Sequence, residues 1–194
     1  MSLLSHNKLC QLVNIGVIEN SGLDLVNAAS IDIRLGSKIL VEDNPHRDRN
    51  EYHKPTVSLA RKEALRMHSV DISKEPYILA PGEFILAQSF EIFHLPNNIA
   101  GEYKLKSSMA RIGLEHLNAG WCDPGWHGSV LTLEFSNLTS YHFIELRYLD
   151  KIGQVVFFEC EPVPEEASYA TKGGYNNNKE VTTPDGHSKI QPGD

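Results

Sequence analysis

Six side chains that could do chemistry together stand in one run, KLKSSMARIGLEHLNAGWCDPGWHGSVLTLE from Lys104 to Glu134: Lys106, Ser107, Ser108, Arg111, Asp123 and Glu134. A cation, two hydroxyls and a guanidinium around a helix-compatible stretch suit an anion such as a phosphate chain. A serine at a helix N-cap accepts from a free backbone N–H, and the helix start offers further unpaired N–H groups and a partial positive charge. Lys106 before the cap and Arg111 one turn later bring two cations within reach. The same residues also make an ordinary capped turn with solvated charges, and their spacing alone leaves both readings open.

Asp123 lies between two Gly-containing turns in NAGWCDPGWHG. Such turns let the backbone approach a small ligand, with Asp123 accepting from a sugar hydroxyl or a water; a plain hairpin with Asp123 bonded to its own turn uses the same letters. Glu134 sits in SVLTLEFSN beside Leu133 and Phe135. Apolar surroundings would raise its pKa by desolvation and suit it to general acid–base work near neutral pH. Alternation equally allows it to point outward on the strand's solvent face. The nine histidines are scattered, and neither H-x-E nor P-C-x-x-C occurs, so the zinc-deaminase pattern is absent. Cys122 between His116 and His127 lacks the second ligand pair of a structural zinc site.

Short β-type runs must position these groups. ASIDIRLGSKILV (29–41) alternates at Ile31, Ile33 and Leu35, and YILAPGEFILAQSFEIFHLPNNIAGEYKL holds two or three strands broken by PGE and LPNN. SVLTLEFSN, FIELRYLDKIG and QVVFFECEP continue the series. Spacing near ten residues with turn signals between predicts a sandwich or barrel. Residues 6–18 predict one helix ending near 19–22. Residues 42–56 read as a polar loop, with irregular chain continuing to about Ser73. The tail from Ala167, rich in Gly, Asn, Thr and Pro, cannot bury enough apolar area to offset its ordering entropy and predicts a mobile arm. The expected division is therefore a β domain over 1–166 and an arm over 167–194.

Composition narrows the function classes. The 194 residues are 41% hydrophobic and 22% charged, which predicts a packed globular chain. A net charge of −7 disfavours a broad nucleic-acid surface. No apolar run approaches the ~20 residues of a membrane span, and no export signal is visible at the N-terminus. Three widely spaced cysteines fit a reducing, cytoplasmic setting better than a disulfide framework.

KSSMARIGL…NAGWCDPGWHGSVLTLEFSN resembles the central motifs of the dCTP deaminase family, part of the dUTPase-like superfamily. ASIDIRLGSKILV, ILAPGEFILAQSFEIFHLPNNIAG and DKIGQVVFFECEPV resemble its other motifs, in the family's order over most of the chain. The resemblance implies a mainly β subunit, a distorted jelly roll or β-clip with a few short helices, assembled as a homotrimer. Sites would lie between neighbouring subunits, with the C-terminal arm closing over the nucleotide. It also implies roles. Glu134 falls at the catalytic glutamate, taking a proton from water and passing it to N3 and the departing amine; Arg111 and Ser107 position base, water or phosphate. The backbone of Ala119 lies beside the base and Asp123 meets the 3′-hydroxyl. Lys106, Ser108 and Gln154 belong to the substrate site, the first two on the triphosphate side, and Tyr175 and Asn178 to the closing tail. No zinc is implied; Mg²⁺ would arrive with the triphosphate, and dTTP feedback is a family habit.

Three departures stand out. Lys106 replaces the usual arginine, turning a forked phosphate contact into a point charge. Gly113 to Asp123 is one residue short, and Gly128 to Glu134 one residue long, which bears on the register of Glu134. The tail's Lys-Tyr-x-x-Gln becomes Gly174, Tyr175 and Asn178, leaving Lys172 and Lys179 both as candidates for the missing cation. The leading expectation is deamination of dCTP to dUTP and ammonia by metal-free attack of water on C4. The alternative is a dUTP or dCTP diphosphatase, or a combined deaminase and diphosphatase releasing pyrophosphate. A third reading is a nucleotide sensor of the same fold without turnover.

Overall fold

The computed structural model describes residues 1–43, 56–58, 60 and 63–184. Among them, in chain order, run β1 (Ser2–Leu3), α1 (His6–Asn14), β2 (Ile18–Glu19), β3 (Ile31–Glu42), β4 (Met67–Asp71), β5 (Tyr77–Leu79), β6 (Phe84–His94), β7 (Ile99–Leu105), α2 (Ser107–Ala110), β8 (Leu114–His116), β9 (Trp121–Cys122), β10 (His127–Asn137), β11 (Ile144–Leu146), β12 (Lys151–Glu159) and α3 (Tyr169–Lys172).

β3 explains the architecture. Its first residues, Ile31–Arg34, pair antiparallel with β12, whereas Leu35 and Ile39–Val41 pair with β6, the register shifting between Leu35 and Ile39. One long strand thus passes from one half of the sheet to the other. The order β8-β10-β6-β3-β12-β7-β9 is a curled antiparallel sheet of the distorted jelly-roll kind, as the resemblance implied. Apolar residues at alternate positions then meet inside. Ile33, Leu35 and Ile39 of β3, Ile85 and Phe93 of β6, Leu133 and Phe135 of β10, and Val155 and Phe157 of β12 are fully buried. Each such side chain contributes roughly 1.5–3 kcal/mol of burial.

Three sequence expectations are corrected. The first helix stops at Asn14 rather than running to 18, because Gly16 takes φ +78° and Ile18 pairs with Phe93 of β6. The stretch before Ser73 is not irregular throughout: β4 pairs with the second half of β3, Val70 opposite Ile39. The tail is packed over residues 167–184. The Ser168 hydroxyl accepts from Ala170 N–H at the start of α3 and donates to Asn97. The backbone of Tyr175 accepts from the Trp126 indole at 2.9 Å and from the Ser129 hydroxyl at 2.8 Å. Val130 N–H donates to the Asn178 carbonyl, and Val181 is buried. Composition could not foresee this, because the partners are polar groups of β10 and its preceding turn. Most of the loop expected at 42–56, and the tail beyond Pro184, lie outside the described residues. Among the described residues, no helix is long and apolar enough to cross a membrane.

Candidate active site

Ala119, Asp123, Glu134, Tyr175 and Asn178 line one cavity of about 430 Å³. Phe84 and Leu86 of β6, Trp121, Trp126 and Tyr169 supply much of its apolar wall, and Thr182–Pro184 of the tail complete it. A concave, largely apolar space with a few convergent polar groups is the ordinary form of a small-ligand site.

Glu134 reaches this cavity by strand alternation. Leu133 and Phe135 enter the core, whereas Thr132, Glu134 and Ser136 share the half-exposed face of β10. The apolar neighbours in sequence therefore point away from the carboxylate, whose side chain keeps 24% exposure while its Oε2 is buried. The pairing with β6 shifts twice before Glu134: between His127 and Ser129, where Gly128 adopts φ +67°, and between Val130 and Thr132. By Glu134, opposite Leu86, the ladder runs in step.

Asp123 opens a tight turn. Its carbonyl accepts from Trp126 N–H at 3.2 Å across Pro124 and Gly125, the latter at φ +88°, the signature of a type II turn. The carboxylate does not close this turn. It accepts instead from the Trp121 indole N–H at 2.9 Å and stays exposed at the cavity. Between these residues, burial first and then the Asp123 carboxylate push the Cys122 thiol up to about 12, so it remains a neutral thiol.

The other predicted residues gather elsewhere. Lys106, Ser107, Ser108, Arg111 and Gln154 do not line this cavity. Lys106 is itself the cap residue of α2, extended at φ −66° and ψ 137°, so Ser107 is the first helical residue and caps nothing with its side chain. The helix has only four residues and ends through Gly113 at φ +89°. So few aligned peptides make little macrodipole, and the expected anion site at its start reduces to exposed side chains: Ser107, Ser108 and Arg111.

Lys106 is engaged within the subunit. Its ammonium donates to Asp32 at 2.5 Å, Lys151 stands 3.5 Å from the other oxygen, and Asn27 donates to Asp32 at 2.7 Å. Gln154, opposite Asp32 in the ladder, accepts from Ser30 at 2.8 Å. Burial alone would raise the Asp32 pKa, but Lys106, Asn27 and Lys151 outweigh it and hold the carboxyl below its ordinary value.

A family model of dCTP deaminase-like proteins matches residues 3–160. The chain belongs to this family. Its curated relatives include a dUMP-forming dCTP deaminase of Nanoarchaeum equitans, 34% identical over 86% of this chain and 87% of the relative. A dUMP-forming dCTP deaminase of Streptomyces avermitilis is 40% identical over 76% of this chain and 73% of the relative. Among solved structures, the 2′-deoxycytidine 5′-triphosphate deaminase of Agrobacterium tumefaciens superposes with a TM-score of 0.60 at 25% identity, over 80% of this chain. This chain spans about half of that protein, 47% of its length. The leading expectation of dUTP as end product conflicts with the names of the curated relatives, which form dUMP.

Sequence reasoning missed three residues that the fold brings against the predicted ones. Asp32 is buried on the face of ASIDIRLG opposite Ile31 and Ile33, where a carboxylate between isoleucines was the available signal. Trp121 reads as a turn residue, and only the fold brings its indole to Asp123. His116, weighed solely as a metal ligand, packs beside Glu134, because β8 pairs with β10 so that His116 stands opposite Phe135, one residue from Glu134.

Proposed function

We propose that this protein hydrolyses dCTP at two bonds. One water replaces the C4 amine, releasing ammonia; a second attacks the α-phosphorus, breaking the α–β bond. The sum, dCTP plus two waters, gives dUMP, ammonia and pyrophosphate. The observation that carries this reading is the meeting of Glu134 and Asp123 on one cavity in a chain of this family, and the dUMP-forming relatives support it.

In this reading Glu134 takes a proton from the water at C4 and delivers it to N3 and the departing amine; positioned proton transfer of this kind is typically worth ~10²–10⁴ in rate. Ala119 offers its backbone to the base. Asp123, its carboxylate steadied by Trp121, accepts from the 3′-hydroxyl and orients the water at phosphorus. Tyr175 and Asn178 hold the closed tail over the nucleotide. Ser107, Arg111, Lys106, Ser108 and Gln154 act from a neighbouring copy, because they sit outside the cavity in their own subunit. A homotrimer supplies that neighbour. It has surface to cover: Ile112, Leu117, Leu138, Tyr141 and Phe143 are exposed, and apolar area of this kind marks subunit contacts.

Mg²⁺ would arrive on the phosphate oxygens with its own waters and neutralise the triphosphate.

The test is product identity from dCTP with Mg²⁺, read by mass. Ammonia, pyrophosphate and dUMP in equal amounts are expected. Glu134→Gln is expected to stop ammonia release while dCTP still binds, and Asp123→Asn to slow pyrophosphate release. Stoichiometric dUTP without pyrophosphate would establish the single-step deaminase instead, and wild-type ammonia release by Glu134→Gln would remove Glu134 from the chemistry.

A further inference from the structure

Three buried polar atoms along the path from β7 to β10 have no hydrogen-bond partner among the described residues: Tyr103 Oη, His116 Nε2 and Glu134 Oε2. Leaving such atoms unsatisfied costs roughly 1–3 kcal/mol each, so each asks for an explanation. Two of them face one another. His116 Nε2 stands 3.3 Å from Glu134 Oε2, within hydrogen-bond distance but outside hydrogen-bond alignment. The His116 side chain is 4% exposed, so water does not compete for it.

The imidazole has little freedom to turn away. The Tyr103 ring packs edge-on at 4.7 Å between centroids and Phe135 does so at 5.9 Å on β10. Tyr103 is itself confined. A side chain at Gly120 or Gly153 would strike it, which is a physical reason for glycine in both NAGW and KIGQ. A line of packing therefore runs from these two glycines through Tyr103 to His116 and on to the carboxylate.

We propose that His116 is the positioning residue for Glu134, its Nε2–H donating to Oε2. This inference rests on reading Glu134 as the base. The proton belongs on Nε2, because a bare lone pair there would face carboxylate lone pairs and repel them. Anchoring Oε2 fixes the carboxylate plane and leaves the other oxygen to the cavity that Glu134 lines. A base so held needs no reorientation when water arrives, and misplacement by ~1 Å at such a group costs about 10²-fold.

The experiment compares His116→Leu, His116→Gln and Glu134→Gln, measuring ammonia release from dCTP and dCTP affinity by calorimetry. Leucine keeps volume and removes the donor; glutamine places an amide N–H near the reach of Nε2. His116→Leu is expected to lower kcat roughly 10–100-fold with KM and dCTP Kd within about three-fold of wild type. His116→Gln is expected to recover most of that loss. In the Glu134→Gln background, His116→Leu is expected to change the residual rate less than about two-fold, since the two act as a unit. A folded His116→Leu protein with kcat within about two-fold of wild type overturns the proposal, as does His116→Gln no faster than His116→Leu. Should leucine prevent folding, His116→Asn replaces it: its shorter amide cannot reach Oε2, and equal rates for the asparagine and glutamine variants overturn the proposal. Wild-type turnover by Glu134→Gln overturns the base assignment instead, whatever the His116 variants do.

Discussion

The cavity beside β10 and the polar cluster at the end of β7 hold equal shares of the predicted chemistry but are built in opposite ways. Around the cavity, Asp123 and Glu134 each meet one neighbour, the Trp121 indole and His116, and keep part of their surface open. At the end of β7 the charges satisfy one another, Lys106 and Lys151 converging on Asp32, and Gln154 bonded to Ser30. An open concave half invites a ligand. A closed, mutually satisfied half is a scaffold, and what it presents outward is Ser107, Ser108 and Arg111 on a single turn. The difference teaches how the proposed function would divide the work: the base would be met within one chain, and the phosphate side displayed to a neighbouring copy.

The largest expected effect tests that division directly. Glu134→Gln removes the cavity's base and Arg111→Ala removes the displayed cation, and each variant alone is expected to be nearly inactive. Mixed after dissociation and reassembled, the two are expected to regain about a quarter of wild-type ammonia release, the chance that a random site draws its intact halves from different subunits. No recovery in hybrids shown by mass to contain both chains would place both residues in one subunit's site and end the comparison.

A smaller effect probes the closed cluster. Lys106→Met is expected to cost about 1–3 kcal/mol of stability, because it leaves the buried Asp32 carboxylate short of its main partner. The sign with pH follows from the depressed Asp32 pKa. A carboxyl lowered on folding contributes stability above its unfolded pKa of about 3.9, and loses it as pH falls through the lower folded value. The gap between wild type and variant in denaturant titrations is therefore expected to be constant above about pH 5 and to narrow toward pH 3. A gap that widens on acidification would mean that Lys106 serves something other than Asp32. Lys106→Arg, the family's usual residue, is expected to keep the stability and to alter only the KM for dCTP.

The strands were legible in the sequence because burial there has a period of two: Ile31, Ile33 and Leu35 mark a buried face of β3, and Leu133 and Phe135 a buried face of β10. Glu134 and Asp123 were legible from residue type and from turn letters. What was not legible depends on distances in space. Nothing local says that Lys106 will find Asp32, which lies 74 positions away, or that His116 will face Glu134 across a ladder. The hydroxyls at 107 and 108 misled for a related reason. Serine before a helix reads as a cap, but the turn began one residue earlier, at a lysine whose extended backbone fills that role. The tail misled because composition counts only apolar area, whereas its order comes from carbonyls and amides bonded to Trp126, Ser129 and Val130.

The smallest effect concerns that tail, which joins the cavity without belonging to the sheet. Val181 is buried and its N–H donates to the Gln88 side chain at 2.9 Å, just before Thr182–Pro184 reach the cavity. Val181→Ala removes two methyl groups from this anchor, a loss of about 1–1.5 kcal/mol of burial. Part of that loss falls on the free protein and part on the complex, so KM for dCTP is expected to rise about three-fold with kcat unchanged. Faster proteolysis within 167–184 is expected alongside, as the docked segment opens more often. A fall in kcat as large as the rise in KM would give the tail a part in the chemical step and blur the line between the open half and its cover; an unchanged KM with faster proteolysis would mean that the docked segment covers the cavity without helping to hold the nucleotide.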